Sequence, residues 1–350
     1  MHLAVREDDI PRAESLVARL GKDYADSALF AVAEGDTGTI AKLLAEARSD
    51  ASAAEVASAV RQISQWVHRP DAAEPFARVA AARPDRVMQA NMALAEDLVA
   101  QGRWAAADSA LVVAESAATD GRARLLRGLR STLPFLNLPR ADLETIRADV
   151  AAWDPAKQPG PPGPVSDLMP QVRRYVLGLL ASRLGDPAAA LREAAQLEAS
   201  PVLESNRVVT RSLAAAVRAD AALAARRPAD ALKALEAVRG DVPLDLTRAT
   251  GLGEDYARFL RGEALIELGN DGEARRWLEN GFVGTADEMA FLAPVSLRLG
   301  ELYERTGDRQ KAIDSYSRFV RLWGACDQRL RPAVDGARER LAKLTAEPRS

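Results

Sequence analysis

Cysteine, histidine, lysine and aromatic residues are all scarce in this chain of 350 residues, and each scarcity closes a route to chemistry. Cys326 is the single cysteine, which excludes an internal disulfide and a thiolate zinc cluster; with no histidine nearby to activate it, it reads as inert. The two histidines, His2 and His68, stand in neither an H-x-x-x-H nor an H-E-x-x-H context, so no metal site is expected. His68, in QWVHRPD, follows Trp66 at the end of a helical pattern and reads as structural or solvated. Phosphate loops are missing too: Gly251-Leu252-Gly253 lacks the third glycine and the preceding strand of a dinucleotide site, and no G-K-S or G-K-T occurs. Carboxylate pairs such as Glu301 and Glu304 arise by chance among 50 acidic residues and read as solvated faces. Neither a catalytic residue nor a cofactor is expected.

Excess charge of one sign is also absent. With 47 basic against 50 acidic residues spread along the chain, the net charge is -3, and no field would recruit nucleic acid. Only six of the basic residues are lysine, an arginine bias that reads as genome composition. No window approaches the ~18 uninterrupted apolar residues of a membrane span, and MHLAVREDDIPRAE has acids where a signal peptide needs an apolar core. A cytoplasmic protein without membrane insertion is expected, or an extracytoplasmic one should the native chain extend upstream of Met1.

What is abundant is small and apolar. The chain is 48% hydrophobic but 5% aromatic, and alanine supplies much of the difference, which favours close helix packing over a core of large side chains. In LRLGELYERTGDRQKAIDSYSRFVRLW, residues 297–323, Leu299, Leu302 and Tyr303, then Ile313, Tyr316, Phe319 and Val320, recur at three- and four-residue steps. Two short amphipathic helices result. Between them Gly307 can take the left-handed conformation that ends a helix, and Asp308 can cap the next. The same break recurs at Gly35-Asp36, Gly102-Arg103-Trp104, Gly185-Asp186-Pro187 and Gly269-Asn270, the last with Glu273 at a capping-box spacing; Arg227-Pro228 is a weaker case. A small residue follows each long-form turn where the second helix crosses the first: Ala107, Ala190, Ala231, Ala274 and Ala312.

The series Leu299, Gly300, Tyr303, Gly307, Ala312, Tyr316 resembles the tetratricopeptide repeat, a helix-turn-helix unit of about 34 residues. Ser296 and Gly324 depart from its usual tryptophan and proline. The resemblance implies an all-α fold, a right-handed superhelical α-solenoid of antiparallel helix pairs. Aligning the units on the small residue of the first helix selects Ala28, Arg61, Ala95, Gly128, Gly178, Ala219, Gly262 and Gly300, at intervals of 33, 34, 33, 50, 41, 43 and 38 residues. Extra segments are expected at 239–254 and 281–294.

The interval of 50 contains AAWDPAKQPGPPGPVSDLMP, residues 151–170, whose prolines and glycines cannot continue a helix. It reads as a stiff connector, its PxxP spacing notwithstanding. Three segments are expected: an N-terminal array over 1–154, a Pro/Gly-rich joint over 155–170, and a C-terminal array over 171–350. The latter ends in a capping helix over 331–344, with Val334, Ala337, Leu341 and Leu344 on one face. At the other end, residues 8–11 read as a turn and 12–20 as a second helix.

Tetratricopeptide arrays generally bind peptides or helices in the concave groove formed by each unit's first helix. The resemblance places Tyr175, Arg183, Phe259, Glu263, Glu267, Leu297, Glu301 and Arg305 along that groove. Packing between repeats for the apolar ones, and solvation for the charged ones, are equally open. In GRARLLRGLR, Arg124, Arg127 and Arg130 recur every three residues, as a basic stripe that is either a surface face paired with acids or an anion site.

A non-catalytic scaffold for a protein or peptide ligand is the leading expectation. The C-terminal stretch and LRSTLPFLNLPRADLETIRADVAAWDP also resemble the repeat region joined in some bacterial proteins to serine/threonine kinase or transcriptional-activator domains, which leaves open a sensor half of a longer signalling chain. An enzyme on a helical solenoid is the third reading, recognisable by a deep polar pocket with a buried, perturbed acid or base.

Overall fold

The computed structural model describes residues 11–12, 15, 23–49, 51–84, 86–118, 120–157, 167–238, 253–280 and 287–346, and among them every regular element is helical. Most of the expected first turn and helix at 8–20, residues 158–166 of the joint, residues 239–252 of the insert expected at 239–254 and residues 281–286 of the one expected at 281–294 lie outside the described residues. The helices come in pairs: α1 (Tyr24–Glu34) with α2 (Thr37–Ser49), α3 (Ala53–Gln62) with α4 (Pro70–Ala81), and α5 (Val87–Ala100) with α6 (Trp104–Ser116). Then come α7 (Arg122–Ser131) and α8 (Arg140–Ala152), α9 (Met169–Arg183) and α10 (Pro187–Glu198), α11 (Arg207–Ala224) and α12 (Pro228–Leu235). The last are α13 (Gly253–Glu267) and α14 (Asp271–Glu279), α15 (Leu292–Thr306) and α16 (Arg309–Trp323), and the terminal α17 (Arg331–Ala346). Consecutive helices pack on one another, and first helices also meet first helices, α1 with α3, α7 with α9, α9 with α11 and α11 with α13, an order compatible with a solenoid.

One turn geometry is used six times. The left-handed residue is Gly35, Gly102, Gly185, Gly269 or Gly307, with φ between 69° and 77°, and Arg226 at 57° in the weaker case. At Gly307 the amide bonds the carbonyl of Glu304 at 3.2 Å and the next amide, Asp308, bonds that of Tyr303 at 2.9 Å, so two helix-end carbonyls are satisfied within the turn. The amide of Ala312 then bonds the carbonyl of Asp308 at 3.0 Å, opening the second helix. The capping is not uniform: Asp186 accepts from the amide of Ala189 at 2.9 Å, whereas the Asn270 side chain makes no cap bond, so the expected capping box there is not formed. A complete box forms instead at Ser52 and Glu55, opening α3.

Small residues sit where helices cross. Ala107, Ala190, Ala231, Ala274 and Ala312 are all fully buried. At Gly300 a methyl group would lie 2.7 Å from ring carbons of Tyr316, so only glycine lets α15 approach α16 this closely. Arg61 is exposed, and Ala59, two residues earlier, is the buried small residue of its helix; the spacing of about 34 was projected onto the wrong side of α3.

Two compact units are distinguished by their internal packing. Unit 1 comprises residues 1–117, 283–293 and 320–327, and unit 2 comprises 118–282, 294–319 and 328–350. The division expected at the joint is not where packing thins out. Helices on either side of it pack together within unit 2: a methyl on Gly128 of α7 would lie 2.5 Å from Val176 of α9. In unit 1, Trp323 is buried and its Nε1 donates to the carbonyl of Ala100 at 3.2 Å, while the amide of Ala105 donates to Asp327 at 3.0 Å. In unit 2, α11 is buried along most of its length, with Arg207 and Arg211 on its exposed side. The terminal helix α17 buries Val334 and Ala337 and leaves Leu341 and Leu344 half-covered. No helix among the described residues is long and apolar enough to cross a membrane.

Candidate functional site on the first helices of unit 2

The eight residues expected along a groove come from α9, α13 and α15, all first helices of unit 2. Their side chains divide by burial. Tyr175 is 0% and Phe259 3% exposed, so neither offers a surface; both lie within helix packing, with the Phe135 ring edge-on to Phe259 at 5.6 Å. Leu297 is half-buried, and the charged members are half-buried or exposed.

None of those charges stands alone. Arg298, which the sequence pattern did not single out, donates through Nε and Nη2 to the two oxygens of Glu263 at 2.7 and 2.8 Å, and through Nη1 to Glu301 at 3.0 Å. Burial works against the Arg298 guanidinium, but the bonds from Glu263 and the charge of both glutamates outweigh it and hold it further above its usual range. Arg305 pairs with Asp271 at 3.0 Å, and Glu267 lies 3.8 Å from Arg226. Three charges from α13 and α15 thus form one fork-shaped cluster, the geometry a planar guanidinium favours.

A second cluster joins α9, α11 and α13. Asp220 is fully buried, and its Oδ1 accepts from both Arg183 Nη2 and the Tyr256 hydroxyl, while Arg183 Nη2 also donates to Tyr256 at 2.8 Å. A carboxylate taken out of water this completely is tolerable only beside a cation, and Arg183 is that cation. Burial would lower the Arg183 pKa; Asp220 and then Tyr256 more than reverse this. Burial, with Asp220 adding to it, pushes the hydroxyl of Tyr175 well up. That hydroxyl, Asp220 Oδ2 and Ser182 Oγ have no hydrogen-bond partner among the described residues. Sequence reasoning named Arg183 and Tyr175 but missed Asp220 and Tyr256. The available signal was a lone acid one residue past the small Ala219 in AAAVRADAALA, an alanine-rich run whose only other charge is Arg218.

The three arginines of α7 do not form an exposed stripe. Arg127 pairs with Asp149 of α8 at 3.0 Å, Arg124 is half-buried, and Arg130 is 0% exposed. Steps of three fall short of a full helical turn by about 60° each, which carries the third guanidinium off the face of the first and into packing.

Unit 1 holds a buried acid of a different kind. Asp97 on α5 is 3% exposed; its Oδ1 accepts from Ser64 Oγ at 2.6 Å, and its Oδ2 has no partner. Ser64 lies in a π-helical turn, Ile63–Val67, that continues α3 and ends at His68 with φ 54°. Burial pushes the Asp97 carboxyl well above the usual carboxylate range, against the Ser64 bond and with Glu96 and Glu74 reinforcing it. A cleft of about 640 Å³ in the same unit is lined by other residues, so this acid does not face it. Among the described residues no group of three or more His, Cys, Asp or Glu side chains is placed to hold a metal ion. No protein-family model matches the chain, and no curated protein matches it significantly.

Proposed function

We propose that the chain is a tetratricopeptide-like, right-handed superhelical scaffold that binds a protein ligand, as a helix or an extended segment, on the first-helix face of unit 2. The observation that carries this reading is the row of half-buried charges Glu263, Arg298 and Glu301, continued by exposed Arg305, on rigid helices around the half-covered Leu297. Such a surface orients a partner by charge and anchors it through one apolar contact, the division of labour typical of peptide grooves. The glutamates are held by Arg298 rather than left mobile, so a partner would meet a preorganised pattern and lose little side-chain entropy on binding. The repeated left-handed turn and the buried alanines at the helix crossings support the family reading.

The test is co-purification from native lysate with mass spectrometry, followed by titration of one purified partner. Glu301→Lys combined with Arg305→Glu is expected to weaken that partner by about tenfold or more, about 1.4 kcal/mol, with the helical circular dichroism spectrum retained. Equal binding by the double variant, or no partner retained by the wild type, would overturn the reading.

A further inference from the structure

Unit 1 carries a cleft of about 640 Å³ between α2 and α4, the second helices of two successive pairs, a size within the range of about 300–1,000 Å³ usual for ligand pockets. Arg48, Arg78 and Arg83 line it together with Asp71 and Glu74. The two acids are already committed. Asp71 accepts from Arg69 through both oxygens, at 2.9 and 2.8 Å. Glu74 accepts from Arg78 at 2.8 Å on one oxygen, and from Arg103 at 2.6 Å and Gln101 at 3.1 Å on the other. Arg69 and Arg103 do not line the cleft, so Asp71 and one oxygen of Glu74 are compensated from outside, and the other Glu74 oxygen is met by Arg78 within it.

Arg48 is the uncompensated one. It is exposed on the α2 wall and has no ion-pair partner among the described residues. On the opposite wall Arg83 is half-buried and steadied by a 2.7 Å bond from Nη1 to the carbonyl of Ala51. Between them Pro75 and Val79 supply apolar surface. Pro75 lies inside α4, so its ring forms a fixed part of this apolar surface.

We infer that this cleft binds an acidic peptide, with a side-chain carboxylate on Arg48 and an adjacent aliphatic side chain over Pro75 and Val79. A bare inorganic anion would use the guanidinium alone and leave the apolar floor unmatched. Guanidinium suits a carboxylate bidentately, and it is not rigidly committed elsewhere at Arg48.

The probe is a fluorescein-labelled hexapeptide of alternating leucine and glutamate, titrated into the full chain at low salt and read by anisotropy, beside the same peptide with glutamine for glutamate. Saturable binding is expected, weakened about tenfold or more by Arg48→Glu and by the glutamine peptide. Arg192→Glu, an equal change of net charge at an exposed site on α10, is expected to change it less than about twofold. Glu301→Lys with Arg305→Glu is expected to leave it intact, which separates this site from the first-helix face of unit 2. No binding of the acidic peptide, equal binding of the glutamine peptide, equal loss in Arg192→Glu, or complete displacement by millimolar phosphate would each overturn the inference.

Discussion

Two buried aspartates, one in each unit, show how the same placement leads to opposite electrostatics. Asp97 follows the small Ala95 of α5 by two residues, and Asp220 follows Ala219 of α11 by one; both are on first helices, and both are almost fully covered. Asp220 is met by a guanidinium from α9 and a phenol from α13. Asp97 is met by one serine hydroxyl from a π-helical turn. The first is a charge compensated across three helices; the second is a carboxyl that burial drives towards its neutral form. Placement near the small residue of a first helix goes with burial, and the neighbours decide what that burial means.

The largest effect is expected from removing the compensation. Arg183→Met leaves Asp220 without its cation and should cost about 3–5 kcal/mol in chemical denaturation. Arg183→Met with Asp220→Leu should recover most of that loss, since the pair replaced by apolar groups no longer strands a charge. A mild Arg183→Met would show that the two aspartates do not differ as described.

A smaller effect of opposite sign is expected at Asp97. The folded carboxyl holds its proton more tightly than the unfolded one, whose pKa is about 3.9. The stability this contributes is fully present below that value and is lost as pH rises through the folded pKa. Asp97→Asn has no proton to lose, so it should raise the unfolding midpoint at pH 7, by an amount on the order of 1 kcal/mol, and lose that advantage at pH 3. The same gain at both pH values would rule out titration as its source.

The smallest concerns Ser64. Ser64→Ala removes the one protein partner of Asp97 Oδ1 and should cost about 1 kcal/mol at pH 7 by urea unfolding, but close to nothing in an Asp97→Leu background. Equal costs in both backgrounds would mean that the π-turn, not the hydrogen bond, responds to the substitution.

The helical class, the turns and the crossing points were legible because each depends on residues close in sequence. A helix end that turns left needs glycine, and five of the six such turns have it; a close crossing needs a side chain no larger than alanine, and Ala107, Ala190, Ala231, Ala274 and Ala312 provide it. Arg61 was misplaced because a spacing is a weaker guide than the burial of Ala59. The site residues were legible only by position. Glu263 and Glu301 were read as free groove charges, yet Arg298 ties them; Arg130 was read as the end of a surface stripe, yet it is buried.

What the sequence by itself determined is the local grammar: where helices start, where glycine reverses the chain, and which small residues allow contact. Those choices act over a few residues through backbone sterics and capping bonds. Only the tertiary structure decided that Arg183 meets Asp220 and Tyr256, 37 and 73 positions away, and that Asp97 meets a hydroxyl 33 positions away. The physical reason is desolvation: what burial does to a charge is set by the few groups that packing brings within hydrogen-bond reach, and these come from other helices.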